Sequence, residues 1–116
     1  MSYKYLIMAP VDPKVVDNVI KAVAAEYFMT DADILGDSRN RLICAARHVV
    51  DYILIVEYGY TLEAVGYHLN RNHTTIHAAV KQVSQLMQAD QNNTLAMEFV
   101  NRVARIIEGL KNDLRS

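Results

Sequence analysis

Apolar residues recur along most of this chain at the spacing of one helical face. From Asp12-Pro13 onward they fall at Val16, Val19, Ile20, Val23 and Tyr27, the stripe of a helix that buries one side. Asp suits the N-cap, and Pro loses no hydrogen bond at the first helical position. Thr30-Asp31-Ala32-Asp33 reads as a capping box with Asp in place of the usual Glu, and predicts a short helix through Ile34-Leu35 that Gly36 ends. A polar loop covers 37–41. A long helix is predicted from about Arg41 to Tyr58, with Gly59 as its cap. Between Val49 and Val56 it is apolar nearly all round, interrupted by Asp51, so it should be the central and most buried helix. Thr61 can cap a helix from Leu62 to about Leu69, and Asn72 another from His73 to about Ala89. Thr94 opens a last helix with Leu95, Phe99, Val103, Ile106, Ile107 and Leu110 on one side. Residues 1–10 alternate apolar and polar up to Pro10 and read as an extended arm, docked on the core or paired with a partner. The expectation is an arm over 1–10 and one all-α domain of five to six helices over 11–116.

Composition narrows the class. Apolar residues are 52% and charged residues 22% of 116, enough for one core and too apolar for a disordered tail. Four Gly and two Pro leave little material for the turns of an all-β protein. The lone Cys44 excludes an intramolecular disulfide and points to a reducing compartment. No run approaches the ~18–20 apolar residues of a membrane span, and no signal peptide is read at the start. A cytoplasmic protein is expected. Net charge is −1, which excludes a strongly basic nucleic-acid wrapper.

Charge is unevenly placed. Residues 37–83 carry Arg39, Arg41, Arg47, Arg71 and Lys81 against Asp37, Asp51, Glu57 and Glu63, a balance of +1, while 1–36 carry −2 and 84–116 carry 0. Within that region, residues 61–81 have the pattern of a helix-turn-helix. Leu62, Val65 and Leu69 give the first helix a buried stripe, and Ala64 and Gly66 are small enough for another helix to approach closely. Ile76, Val80 and Val83 give the second helix its own stripe. That leaves His73, Thr74, His77 and Lys81 on its outer face, donors and acceptors that can reach base edges in a major groove. The spacing alone also fits two packed helices with no ligand.

The run Arg71-Asn72-His73-Thr74-Thr75-Ile76 closely resembles the Arg-Asp-His-Thr-Thr-Val signature of the C-terminal DNA-binding domain of the bacterial replication initiator DnaA. Val23-Ala24-Ala25-Glu26-Tyr27-Phe28, Ala32-Asp33-Ile34-Leu35, Arg39-Asn40-Arg41 and Leu62-Glu63-Ala64-Val65-Gly66 are similar to further parts of that domain. The resemblance implies a fold like the Trp repressor's and binding of double-stranded DNA in replication or transcription control. It implies Arg39 in a minor groove. Arg71, Asn72, His73, Thr74, Thr75, His77 and Lys81 would lie at the major groove or its phosphates, and Arg47 and His48 at the family's Arg-Gln contact.

Departures are visible. Asn72 replaces the signature Asp, and Leu69-Asn70 replaces Gly-Gly. His77 stands one position early, and Ala45 and Ile55 stand where basic residues are usual. They imply an altered target and lower affinity. No Gly-x-x-x-x-Gly-Lys-Ser/Thr loop is present, so a stand-alone reader without ATPase activity, of the kind a phage or mobile element carries, is expected.

Other readings are plainer. His73 and His77 have metal-ligand spacing, but Thr74 stands where a zincin needs Glu; no metal and no cofactor is expected. Cys44 fits packing, and the seven Tyr are scattered. No nucleophile has a readable base, so no enzyme is expected. The competing class is a protein-interaction module that kept the fold and binds an initiator or phage partner, or itself. A homodimer through the arm and the last helix is expected, because one weakly charged module binds weakly.

Overall fold

Capping chemistry sets nearly every helix boundary in the computed structural model, which describes residues 11–115, with side chains to 112. The expected arm lies outside these residues. Helix α1 spans Pro13–Glu26; the Asp12 carboxylate accepts from the Lys14 amide at 2.9 Å. Helix α2, Asp31–Leu35, opens on a two-way capping box between Thr30 and Asp33. Gly36 ends it, as expected, in extended backbone at φ −78°. Helix α3, Arg41–Tyr52, is capped by Asn40 and continues as a π-helical turn over Ile53–Glu57. Helix α4 is Leu62–Leu69, α5 His73–Met87 and α6 Thr94–Arg115. Six α-helices and no strand occur among the described residues.

The core sits where the apolar stripes meet. Val49, Val50, Ile53 and Leu54 of the long helix are fully buried, as are Val19 and Val23 of α1, Ile76 of α5 and Val103 of α6. The expected burial all round stops at Leu54: the π turn rotates Val56 outward, where it is 48% exposed. Helix α5 packs most extensively on α3, which fixes its outer face relative to the molecule's centre. The stripe of α6 is consumed within the monomer, since Val103, Ile106 and Leu110 are buried and Phe99 and Ile107 pack against the core. Among its described side chains, Leu95 is the large apolar one that stands clear of the fold, 79% exposed.

Two connections reverse direction by the same device. After α1, the Phe28 and Met29 amides donate back to the Ala25 and Ala24 carbonyls, with Phe28 at φ +55°. After α4, the Asn70 and Arg71 amides donate to the Tyr67 and Gly66 carbonyls, with Asn70 at φ +53°. Both are Schellman closures, which need one left-handed residue. Asn tolerates that conformation, so Asn70 serves where the resembled signature has glycine.

Candidate nucleic-acid interface

The turn between α4 and α5 is tight because of Gly66. The Arg71 amide donates to the Gly66 carbonyl at 2.9 Å, and this closure lays the Arg71 carbonyl over the Gly66 Cα. A Cβ there would stand 2.7 Å from that oxygen. The small residue admits the turn, and with it the close approach of α5, whose Ile76 Cδ1 and His73 amide would lie 3.5 and 3.6 Å from that Cβ. Asn72 then caps α5, its Oδ1 accepting from the Thr74 amide at 2.8 Å. Other first-turn amides of α5 have no intrahelical acceptor, a setting that favours an anionic oxygen.

Ile76, Ala79 and Val83 turn α5 inward. Its outer face carries Asn72, His73, Thr74, Thr75, His77 and Lys81, all exposed. These six expected residues therefore share one solvent-facing surface over two turns of helix. His73 and His77 are not joined by a group of three His, Cys, Asp or Glu side chains among the described residues.

Arg39 is exposed on the loop between α2 and α3. An open groove of about 650 Å³ runs between the start of that loop, at Gly36 and Asp37, and the turn at Asn70, Arg71 and Thr75. His48 and Arg47 line its floor. The loop bearing Arg39 and the N-terminal end of α5 thus flank a single concavity.

Arg47 does not face outward. It is 9% exposed, and its guanidinium donates to the carbonyls of Ile34 (2.8 Å), Asp33 (3.0 Å) and Ser38. Three N–H donors of the fork clasp the segment 33–38 to α3, so the Arg47 expected at a DNA contact is engaged with the protein itself. The clasp ends one residue before Arg39 and holds its loop. Sequence spacing put Arg47 on a helix and could not show that its partners are loop carbonyls.

Arg71 is also held inside the protein. Its Nη2 pairs with Oδ1 of Asp51, a carboxylate with no exposed surface in the last turn of α3. Arg71 itself keeps 26% of its side chain exposed, so it is engaged on one side and open on the other. Burial pushes the Asp51 carboxyl up to about 6, outweighing the pull of Arg71 and then Arg47. The group is ionised at neutral pH and paired. Burial, followed by the charges of Arg71 and Arg47, lowers His48 below its ordinary range. At neutral pH this half-buried imidazole is uncharged and offers one donor and one acceptor to the groove. The sequence marked Asp51 only as a break in an apolar run; a carboxylate in a stripe that should be buried was the available signal.

Comparison with known proteins agrees with this local architecture. A family model described as the bacterial dnaA protein helix-turn-helix matches residues 16–83. The chromosomal replication initiator protein DnaA of Xanthobacter autotrophicus is 29% identical over 101 residues, covering 84% of this chain and 20% of that protein. The DnaA proteins of Thermomicrobium roseum and Deinococcus radiodurans are 30% identical over 99 residues and 32% identical over 85. They cover 84% and 72% of this chain, and 21% and 18% of their own lengths. The chain spans about one fifth of the length of these curated relatives. With more than half of its residues matched, including the Gly66–Arg71 turn and the exposed first turns of α5, the chain belongs to the bacterial DnaA helix-turn-helix family.

Proposed function

We propose that this chain binds double-stranded DNA with sequence selectivity, in the control of replication or transcription and hence in the cytoplasm, and that it acts by binding rather than catalysis. Helix α5 enters a major groove with His73, Thr74 and His77 toward base edges. Thr75, Lys81 and the α5 amides hold phosphates, and Arg39 lies in the adjacent minor groove. The observation that carries this reading is the set of exposed polar residues on the outer face of α5, of which Thr75 lines the same groove as Asp37 at the start of the Arg39 loop. Base contacts specify and phosphate contacts position. Accordingly His73→Ala and Thr74→Ala relax base preference, at about 1–3 kcal/mol for each lost specific contact. Arg39→Ala weakens binding to every duplex alike. Measured affinities on a panel of single-base variants separate the two; one uniform loss from all three substitutions contradicts base reading by α5.

A second reading has one observation in its favour. Arg47 and Arg71 are engaged within the protein, leaving Arg39, Arg41 and Lys81 as the exposed cations of 37–83. A module that kept the fold and binds a replication or phage protein, or a second copy, fits such a surface. Its contact would lie on the groove lined by Leu42, Leu95 and Phe99, with Leu95→Asp abolishing capture and Arg71→Ala sparing it. A single chain in solution with no co-purifying partner contradicts it.

A further inference from the structure

A charge in the core of α3 is expensive, and Asp51 has an apolar neighbourhood on its own helix: Val49, Val50, Ile53 and Leu54 are all fully buried. Its Oδ2 has no hydrogen-bond partner among the described residues. Buried ion pairs of this kind seldom add stability over an apolar side chain of similar volume, so a role in fixing geometry is the better account. The partner, Arg71, is the residue on which the helix-turn-helix turn closes. Its amide is tied to Gly66 of α4, its carbonyl rests on the Gly66 Cα, and its side chain is tied to α3. The next two residues are the cap of α5 and the first residue of its outer face.

We propose that Asp51 is the positioning residue of the reading helix: by holding Nη2 of Arg71 it locks the turn to α3 and fixes the aim of the first turn of α5, while the remaining guanidinium donors stay directed to the groove. Asp51 touches no DNA in this arrangement. The inference rests on the proposed DNA-binding reading for its consequence, and on the protein alone for its cause.

The test uses the full chain, wild type against Asp51→Leu, Asp51→Asn and the pair Asp51→Leu with Arg71→Ala. The probes are a duplex enriched by wild type from a random pool and a scrambled duplex of the same composition. Asp51→Leu is expected to melt at or above the wild-type temperature. It should also lose about tenfold in the ratio of affinities for the two duplexes, and exchange the amides of 72–75 at least tenfold faster. Adding Arg71→Ala should speed exchange of 72–75 little further, since the two hold the turn as a unit. Asp51→Asn, which keeps an acceptor at Oδ1, should fall between. A structural role alone would not separate melting from discrimination.

Two results overturn the proposal: an Asp51→Leu protein with wild-type discrimination and turn protection, or one in which melting temperature and every protected amide fall together. If wild type enriches no duplex, the DNA-binding reading fails by itself, and the exchange of 72–75 in the free proteins decides the positioning role.

Discussion

Arg47 and Asp51 lie four residues apart on α3, and each is charged, buried and engaged at long range. Their environments differ. Arg47 meets three carbonyls that suit a planar fork, and the arrangement is satisfied. A lysine has a single ammonium and cannot span them. Arg47→Lys is therefore expected to lower stability by about 1–3 kcal/mol and to speed amide exchange at Ser38–Asn40, as urea unfolding and exchange measurements would show. Asp51 has one cationic partner and an orphaned oxygen, so burial wins and its carboxyl is raised to about 6. A raised folded-state value means the fold takes up a proton. The contribution is fully present below about pH 4, where the unfolded carboxyl is also protonated, and is lost as pH rises through about 6. It amounts to on the order of 3 kcal/mol. The stability of wild type relative to Asp51→Asn should fall by that amount between pH 4 and pH 7.5; a flat difference would contradict the burial argument.

At the level of elements, local chemistry was legible and long-range pairing was not. Asp12, Thr30, Thr61 and Asn72 each cap the helix that their side chains announced, because a cap is satisfied within three residues of itself. The last helix begins at Thr94, as expected, and is capped by the preceding Asn93, whose Oδ1 accepts from the Ala96 amide. The π turn over Ile53–Glu57 had no sequence marker. Nor did the left-handed Phe28, since a glycine is the usual residue there. That position is 94% exposed, so no packing compensates for its conformation. Phe28→Gly should stabilise the protein by about 1 kcal/mol, readable as a higher urea midpoint with an unchanged slope. The partners of Arg47 lie 9, 13 and 14 residues away in sequence and that of Arg71 lies 20 away, beyond the reach of any spacing rule. Two of the ten expected interface residues were therefore legible as functional types but not in their engagement.

For the whole molecule, charge sets how DNA would be held. With Arg47 withdrawn and Arg71 paired, few cations are left to displace counterions from a duplex. Each phosphate neutralised adds about −0.9 to the slope of log K against log salt. A slope between about −2 and −4 is expected here, shallow for a DNA-binding domain. Weak non-specific attraction would leave selectivity to the proposed α5 face, and would give pairing of two chains a purpose that the buried stripe of α6 cannot serve. Among the described residues, Leu42 and Leu95, which line one shallow groove, offer an exposed apolar seat for it. Light scattering would report twice the mass of one chain if they pair; the mass of one chain contradicts the dimer without touching the DNA assignment. The central claim, that α5 reads sequence, is tested most directly by selection from a pool of random duplexes at low salt. Enrichment of one short motif by wild type, lost in His73→Ala and Thr74→Ala, is the result this account predicts. Repeated rounds that enrich no sequence would contradict it.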